Sequence, residues 1–285
     1  MHEPSVKHRK PEALAADLRS SPRTREAFAS AEELSSRCRQ ILGECVVGVY
    51  LHGSLAIGGF NPATSDIDLL VVTQGQPERT QLQKLTLAVL DLHRQLPEGR
   101  HIEFTVIEAA ALRPFVHPAP FIYHYSAAHR ERYATDPDYV CGGWEDPDLA
   151  AQVAVAYERG IPLHGLPLRE LYPPVPREAY VRSIRNDVSN AESEISENPV
   201  YLTLNLCRVL MFLQEGYIAS KKEGGEWGTK ALPEWKEVID PLLAVVYKET
   251  SRGDIEIPAA KLTAFAKEMQ SRIAVAASLI ETEPK

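Results

Sequence analysis

The chain has 285 residues, 44% of them apolar and 25% charged, and a formal net charge of −8. That is the profile of a globular protein of one large or two ordinary domains. The acidic balance argues against a dedicated nucleic-acid binder, which needs clustered Lys and Arg, and no run approaches the roughly eighteen apolar residues of a membrane span.

The polar stretch Met1–Lys10 lacks the apolar run of a secretory signal. Cys38, Cys45, Cys141 and Cys207 form no Cys-x-x-Cys pair. The expectation is therefore a cytoplasmic chain with free thiols, without zinc or a redox motif.

In chain order, residues 1–21 are polar, with a short helix near Glu12–Leu18. Ala27, Phe28, Ala31, Leu34, Cys38, Ile41 and Leu42 follow helical spacing from Arg23 until Gly43 stops the helix. Cys45–Leu51 reads as a buried strand running into Gly53-Ser54. A Gly-rich loop of eleven residues leads to Asp66-Ile67-Asp68, which opens a second strand, Asp66–Thr73. Side chains two apart on a strand share a face, so Asp66 and Asp68 present two carboxylates to one side. Such a pair suits magnesium, which usually arrives with substrate phosphates. The Gly-Ser turn offers N–H groups and a hydroxyl to a phosphate.

Pro77 opens a helix carrying Leu82, Leu85, Val89, Leu92 and Leu96, closed by Pro97 and Gly99. A third strand, Arg100–Ile107, puts His101, Glu103 and Thr105 on one face. A wet edge strand would account for Glu103. The order strand, helix, strand instead lets the third strand lie beside the second, making Glu103 a third carboxylate with Asp66 and Asp68.

Residues 114–148 read as loops, with a short helix near Ser126–Tyr133 and a linker at Cys141–Asp148. His117, His124 and His129 match no zinc spacing and read as surface or packing residues. Asp148 caps a helix ending at Arg159, and Pro162–Pro176 reads as a hinge. Four helices follow. The first carries Val181, Ile184, Val188, Ala191 and Ile195, and the second Leu202 to Tyr217. The third precedes Tyr247, and the last carries Leu262, Phe265, Met269, Ile273, Ala276 and Leu279. The expected fold is α+β: a mixed sheet with flanking helices over 1–160, ordered from about residue 23, then an all-helical bundle over 161–285. The cleft between them is the natural ligand site.

Asp-x-Asp and Gly-Ser are each weak signals; their combination is not. Strand, Gly-Ser, eleven residues, Asp-x-Asp and an apolar strand resemble the nucleotidyltransferase superfamily with a polymerase-beta-like core. Val200–Arg208, Gly216–Lys221, Glu226-Trp227 and Leu232-Pro233 extend the likeness. From about residue 45 to about 250, the chain resembles the aminoglycoside O-adenylyltransferases that modify spectinomycin and streptomycin. The resemblance implies magnesium-dependent transfer of AMP from ATP to a hydroxyl of a small amine-bearing acceptor, with release of pyrophosphate.

It further implies that Asp66 and Asp68 hold magnesium and Glu103 is the catalytic base. Gly53, Ser54, Lys221 and Arg208 would contact the nucleotide, and Tyr247 would pack on the adenine. Streptomycin-modifying members share a tryptophan and an aspartate just upstream of the Val-Leu-Thr-Leu block. Ser189–Pro199 has neither, which argues against streptomycin and leaves spectinomycin, another hydroxylated amine or a non-antibiotic acceptor open. Glu192, Glu194 and Glu197 are the acids there for an ammonium group. A nucleotidyltransferase of proteins or RNA ends, and a non-catalytic antitoxin-like module, are the alternatives. Acidic charge disfavours RNA, and the retained Asp66, Asp68 and Glu103 disfavour a dead enzyme.

Overall fold

A computed structural model describes residues 11–247 and 256–281. Helices α1 (Pro11–Ser20) and α2 (Arg25–Leu42) lead into β1 (Val46–His52). The short helix α3 (Gly53–Ile57) occupies the start of the expected loop and is followed by β2 (Ile67–Thr73), α4 (Arg79–Gln95) and β3 (Ile102–Glu108). Leu69, Leu70, Val71 and Val72 are all buried, as expected for a strand covered on both faces. Helix α2 packs on α4 and against β1 and β2, and α3 and α6 (Leu149–Arg159) also lie against β1 and β2.

The sheet has five strands. β3 is not an edge: it pairs in parallel with β2 and antiparallel with β5 (Tyr123–Tyr125). Residues 114–148, read as loop and linker, hold β5 and also β4 (Ala119–Pro120), α5 (Arg130–Thr135) and β6 (Glu145–Asp146), with β4 and β6 forming a small ribbon. These strands are too short to alternate legibly, and their Pro and His content conceals them. β5 is held by its tyrosines: Tyr123 and Tyr125 are fully buried, with hydroxyls bonded to Thr86 and His93. His124 packs against the Phe121 and His129 rings, and His129 against Tyr133. The expected hinge begins with β7 (Ile161–His164), which pairs antiparallel with β1, so the sheet continues past residue 160.

After α7 (Leu168–Leu171) the chain is helical: α8 (Arg177–Asn186), α9 (Ala191–Glu194), α10 (Pro199–Glu215), α11 (Lys221–Ala231), α12 (Lys236–Tyr247) and α13 (Ala259–Glu281). The first expected helix of this half is broken after Asn186, yet Val188, Ala191 and Ile195 still enter the core. α10 is the central helix, with every residue from Leu202 to Leu213 buried except Arg208.

α11 escapes helical periodicity because it contains Gly224, Gly225 and Gly228, each costing up to about 1 kcal/mol of helix propensity. The glycines permit close approach. A Cβ at Gly224 would lie 2.9 Å from Arg208 Cα, and one at Gly228 2.6 Å from Cys207 Sγ. Gly224→Ala therefore pits a propensity gain of about 1 kcal/mol against overpacking of about 1–3 kcal/mol on unyielding backbone. The expected result is net destabilisation, read as a lower urea midpoint; an unchanged or higher midpoint would show that α11 can move away from α10.

Candidate active site

The sheet register assembles the polar row. His52 on β1 stands opposite Asp68 on β2, which stands opposite Glu103 on β3. Directly paired residues share a face, about 5 Å apart. Asp66 immediately precedes β2, where the Ile67 N–H donates to the His101 carbonyl at 3.0 Å. Burial of Ile67, Leu69, Ile102 and Phe104 leaves the carboxylates to the other face.

Gly53 turns the chain over this row with φ +61°, and a Cβ there would fall 1.8 Å from Asp68 Oδ2. No side chain fits at that place in that conformation. Ser54 follows at the cavity wall.

A cavity of about 580 Å³ lies between sheet and bundle, lined by all eight residues singled out in the sequence: Gly53, Ser54, Asp66, Asp68, Glu103, Arg208, Lys221 and Tyr247. Lys221 is not a solvated helix end. Its Nζ lies 4.2 Å from the Tyr201 ring centroid, and burial, with Arg208 adding to it, lowers its ammonium to about 8 against the support of Asp187, Asp68 and Asp66. Lys222 by contrast is 45% exposed and reaches towards Glu226.

Arg208 also lines the cavity, where its charge acts on Lys221. The Tyr247 phenol is pushed up to about 12 by burial. Its hydroxyl would lie 3.4 Å from a Cβ at Gly59, and Asn61 Nδ2 donates to the neighbouring Val246 carbonyl at 2.7 Å.

The three carboxyls are all raised. Burial is the main cause for each; Asp68 is raised further by Glu103 and Asp66, and Glu103 by Asp66 and Asp146. For Asp66, His101 and Lys221 offset part of the burial effect. The site thus carries a surplus of negative charge in a poorly hydrated wall.

Several lining residues escape sequence reasoning: His52, Gln152, Asp148, Asp187 and Tyr201. Tyr201 lies within the Val200–Arg208 block, where the family likeness assigns a role to Arg208 alone. Asp148 was expected as a helix cap, but its side chain makes no cap bond; it accepts from Asn186 Nδ2 at 3.1 Å. Asp187 accepts from the Tyr201 hydroxyl at 2.5 Å. Glu192, Glu194 and Glu197 are exposed and away from the cavity. The break after α8 turns them outward and leaves Asp187 at the wall.

The family described as "Nucleotidyltransferase domain" matches residues 31–113, and that described as "Aminoglycoside adenylyltransferase, C-terminal domain" matches residues 170–272. A spectinomycin 9-adenylyltransferase of Staphylococcus aureus is 26% identical over 242 residues, covering 82% of this chain and 90% of its own length. An aminoglycoside (3'') (9) adenylyltransferase of Escherichia coli is 25% identical over 217 residues, covering 70% and 80%. The fold matches the crystal structure of an Enterococcus spectinomycin adenyltransferase with ATP and spectinomycin: TM-score 0.74, 21% identity, 87% of this chain and 99% of that one. With both halves matched by the corresponding parts, this chain belongs to the aminoglycoside adenylyltransferase family of nucleotidyltransferases.

Proposed function

We propose that this enzyme transfers AMP from ATP to a hydroxyl of a small cationic acceptor, an aminoglycoside or spectinomycin-type molecule, and releases pyrophosphate. The observation that carries this reading is the convergence of a three-carboxylate wall and two cations, Lys221 and Arg208, on one cavity. The relatives' names and the spectinomycin and ATP of the matched crystal structure support the acceptor class.

The residues present fit magnesium. Asp66 and Asp68 are hard oxygen donors in a wall with excess negative charge. Magnesium is commonly held by one or two carboxylates together with substrate phosphates. Asp66 and Asp68 would hold it, and when bound it supplies positive charge to the reacting phosphate.

The chain's own residues do the rest. The Gly53-Ser54 turn and Lys221 take the triphosphate, Arg208 adds positive charge, and Tyr247 offers a ring to the base. Glu103 accepts the proton of the acceptor hydroxyl. The acceptor's hydroxyl oxygen bonds to the α-phosphorus, the bond from phosphorus to the bridging oxygen breaks, and pyrophosphate leaves with that electron pair. The Glu103 carboxyl, raised by burial and by Asp66, is a stronger base than an ordinary carboxylate. Asp148 and Asp187 face the acceptor's ammonium groups.

Glu103→Gln is expected to retain ATP binding while transfer falls by roughly 10²–10⁴, measured as pyrophosphate release with spectinomycin, streptomycin and other aminoglycosides, with Asp66→Asn/Asp68→Asn as control. Full activity in Glu103→Gln would remove that residue from the reaction. Silence of the native enzyme across the panel, with ATP bound, would move the acceptor to another class.

The carboxyls make a second expectation. Their folded pKa values exceed the unfolded ones, so their contribution favours folding below the ordinary carboxylate range and is lost as pH rises through the elevated values. Near neutral pH and without divalent cations, Asp68→Asn should melt at a higher temperature than the native chain. Magnesium should raise the native melting temperature and leave that of the variant nearly unchanged. A variant less stable than native in metal-free buffer would contradict the charge surplus.

A further inference from the structure

Arg159, the last residue of α6, lies between the sheet half and the bundle. Its Nη2 donates to the Ile57 carbonyl at the end of α3 (2.7 Å), and its Nη1 to the Ile218 carbonyl (3.1 Å). The same two nitrogens form a bidentate pair with Glu223, at 2.6 and 3.2 Å.

Glu223 is itself committed to the start of α11. Its carboxylate accepts from the Ser220 N–H at 2.7 Å while its own N–H donates to Ser220 Oγ at 3.1 Å, a capping box. The Tyr217 hydroxyl donates to Glu223 Oε1 at 3.0 Å, and the guanidinium lies 5.4 Å from the Tyr217 ring centroid. Burial pushes the Glu223 carboxyl up, but the bonds from Arg159 and Ser220 outweigh it and hold it below its ordinary value. Both side chains are largely shielded, at 15% and 27% exposure, so the pair is screened far less than a surface pair.

α3 begins at Gly53-Ser54, and α11 begins with Lys221, two residues before Glu223. One guanidinium therefore joins the far end of the helix that starts at the Gly-Ser turn to the cap of the helix that starts with the cavity lysine. We propose that Arg159 and Glu223 are positioning residues for nucleotide binding, a clamp that sets the place of Lys221 relative to the Gly53-Ser54 turn and Asp68. The proposal rests on the reading of Lys221 as a triphosphate ligand. Lysine would not replace Arg159: a single ammonium cannot span two carbonyls and both oxygens of a carboxylate in the planar fork geometry.

The test is ATP–magnesium titration calorimetry without acceptor on the native chain, Arg159→Met, Glu223→Gln, Lys221→Ala and the double variant Arg159→Met/Lys221→Ala. Arg37→Met is the control, because Arg37 makes a similar network with Glu33, Asp91 and the Ala88 carbonyl between α2 and α4, away from the cavity. Arg159→Met and Glu223→Gln should each weaken ATP binding about tenfold, and the double variant should bind no more weakly than Lys221→Ala alone, the coupling expected of groups acting as a unit. Arg37→Met should lower the melting temperature without changing ATP affinity. In turnover, the clamp variants should raise KM for ATP and leave KM for the acceptor near native.

Native ATP affinity in both clamp variants, alongside loss in Lys221→Ala, would overturn the clamp and leave the function reading standing. Multiplying losses in the double variant would overturn it too, because Arg159 would then act independently of Lys221. Native affinity in Lys221→Ala would instead remove the lysine's phosphate role. Should Arg159→Met fail to fold, Glu223→Gln, which keeps the side chain's length and one acceptor oxygen, decides the matter.

Discussion

Two carboxylates directly opposite one another on adjacent strands, with a third one position before a strand, repel one another in a wall that water reaches poorly. The sheet holds them together against that repulsion. Slipping β2 by one residue would turn Asp68 into the core and Ile67 or Leu69 into the cavity, and the buried faces of Ile67, Leu69, Ile102 and Phe104 prevent it. Apolar burial in the sheet therefore fixes the spacing of the charges. The charge surplus then calls for cations from elsewhere, and among the described residues the lysine and arginine side chains lining the cavity come from the bundle: Lys221 and Arg208. The site is electrostatically incomplete until both halves are present.

Close backbone approach is the second constraint, and glycine meets it in both halves. Gly53 lets the turn pass over Asp68 at a distance no side chain allows, in a left-handed conformation that glycine adopts freely. In α11 the conformation is ordinary and the requirement is space. Gly224, Gly225 and Gly228 let the helix settle against Arg208, Leu204 and Cys207 of α10. Helix propensity is given up there for proximity. That proximity brings the start of α11, and hence Lys221, to the same wall as Arg208.

The residues that sequence pattern locates best are those whose position follows from a local period. Asp68 and Glu103 sit on long apolar strands, with Asp66 one position before one, where a period of two assigns their face. Gly53 and Ser54 follow from the turn they make between strands, and Lys221, Arg208 and Tyr247 follow from family likeness. What stayed hidden depends on distant pairing. β5 and β7 are recognisable only once β3 and β1 offer them edges. α11 is not among the helices that periodicity picks out, because its glycines answer to a neighbouring helix. His52 looks like the end of a strand until the register sets it opposite Asp68. Asp187 precedes the Ser189–Pro199 segment, and the break after Asn186 that brings it to the wall is hidden by a pattern that Val188, Ala191 and Ile195 continue.

Asp187 also breaks a local rule. It stands at the C-terminal end of α8, where exposed carbonyls already make the field negative and a lysine or arginine would be the stabilising choice. Asp148, at the start of α6, faces the same place, joined to α8 through Asn186, and burial together with Asp146 and Asp187 raises its carboxyl. A helix end that gathers two acids and its own carbonyl dipoles is costly, and within the protein part of that cost is offset, because Asp187 supports the buried Lys221 ammonium. Departures of this kind concentrate where a site serves a ligand, and an acidic wall here would suit the amine-bearing acceptor of the proposed reaction. The two sides of the cavity differ in how they are made: sheet register sets the carboxylate wall, whereas the ends of α6 and α8 set the acidic wall. Helix ends can shift or change residue without disturbing the register that carries the chemistry.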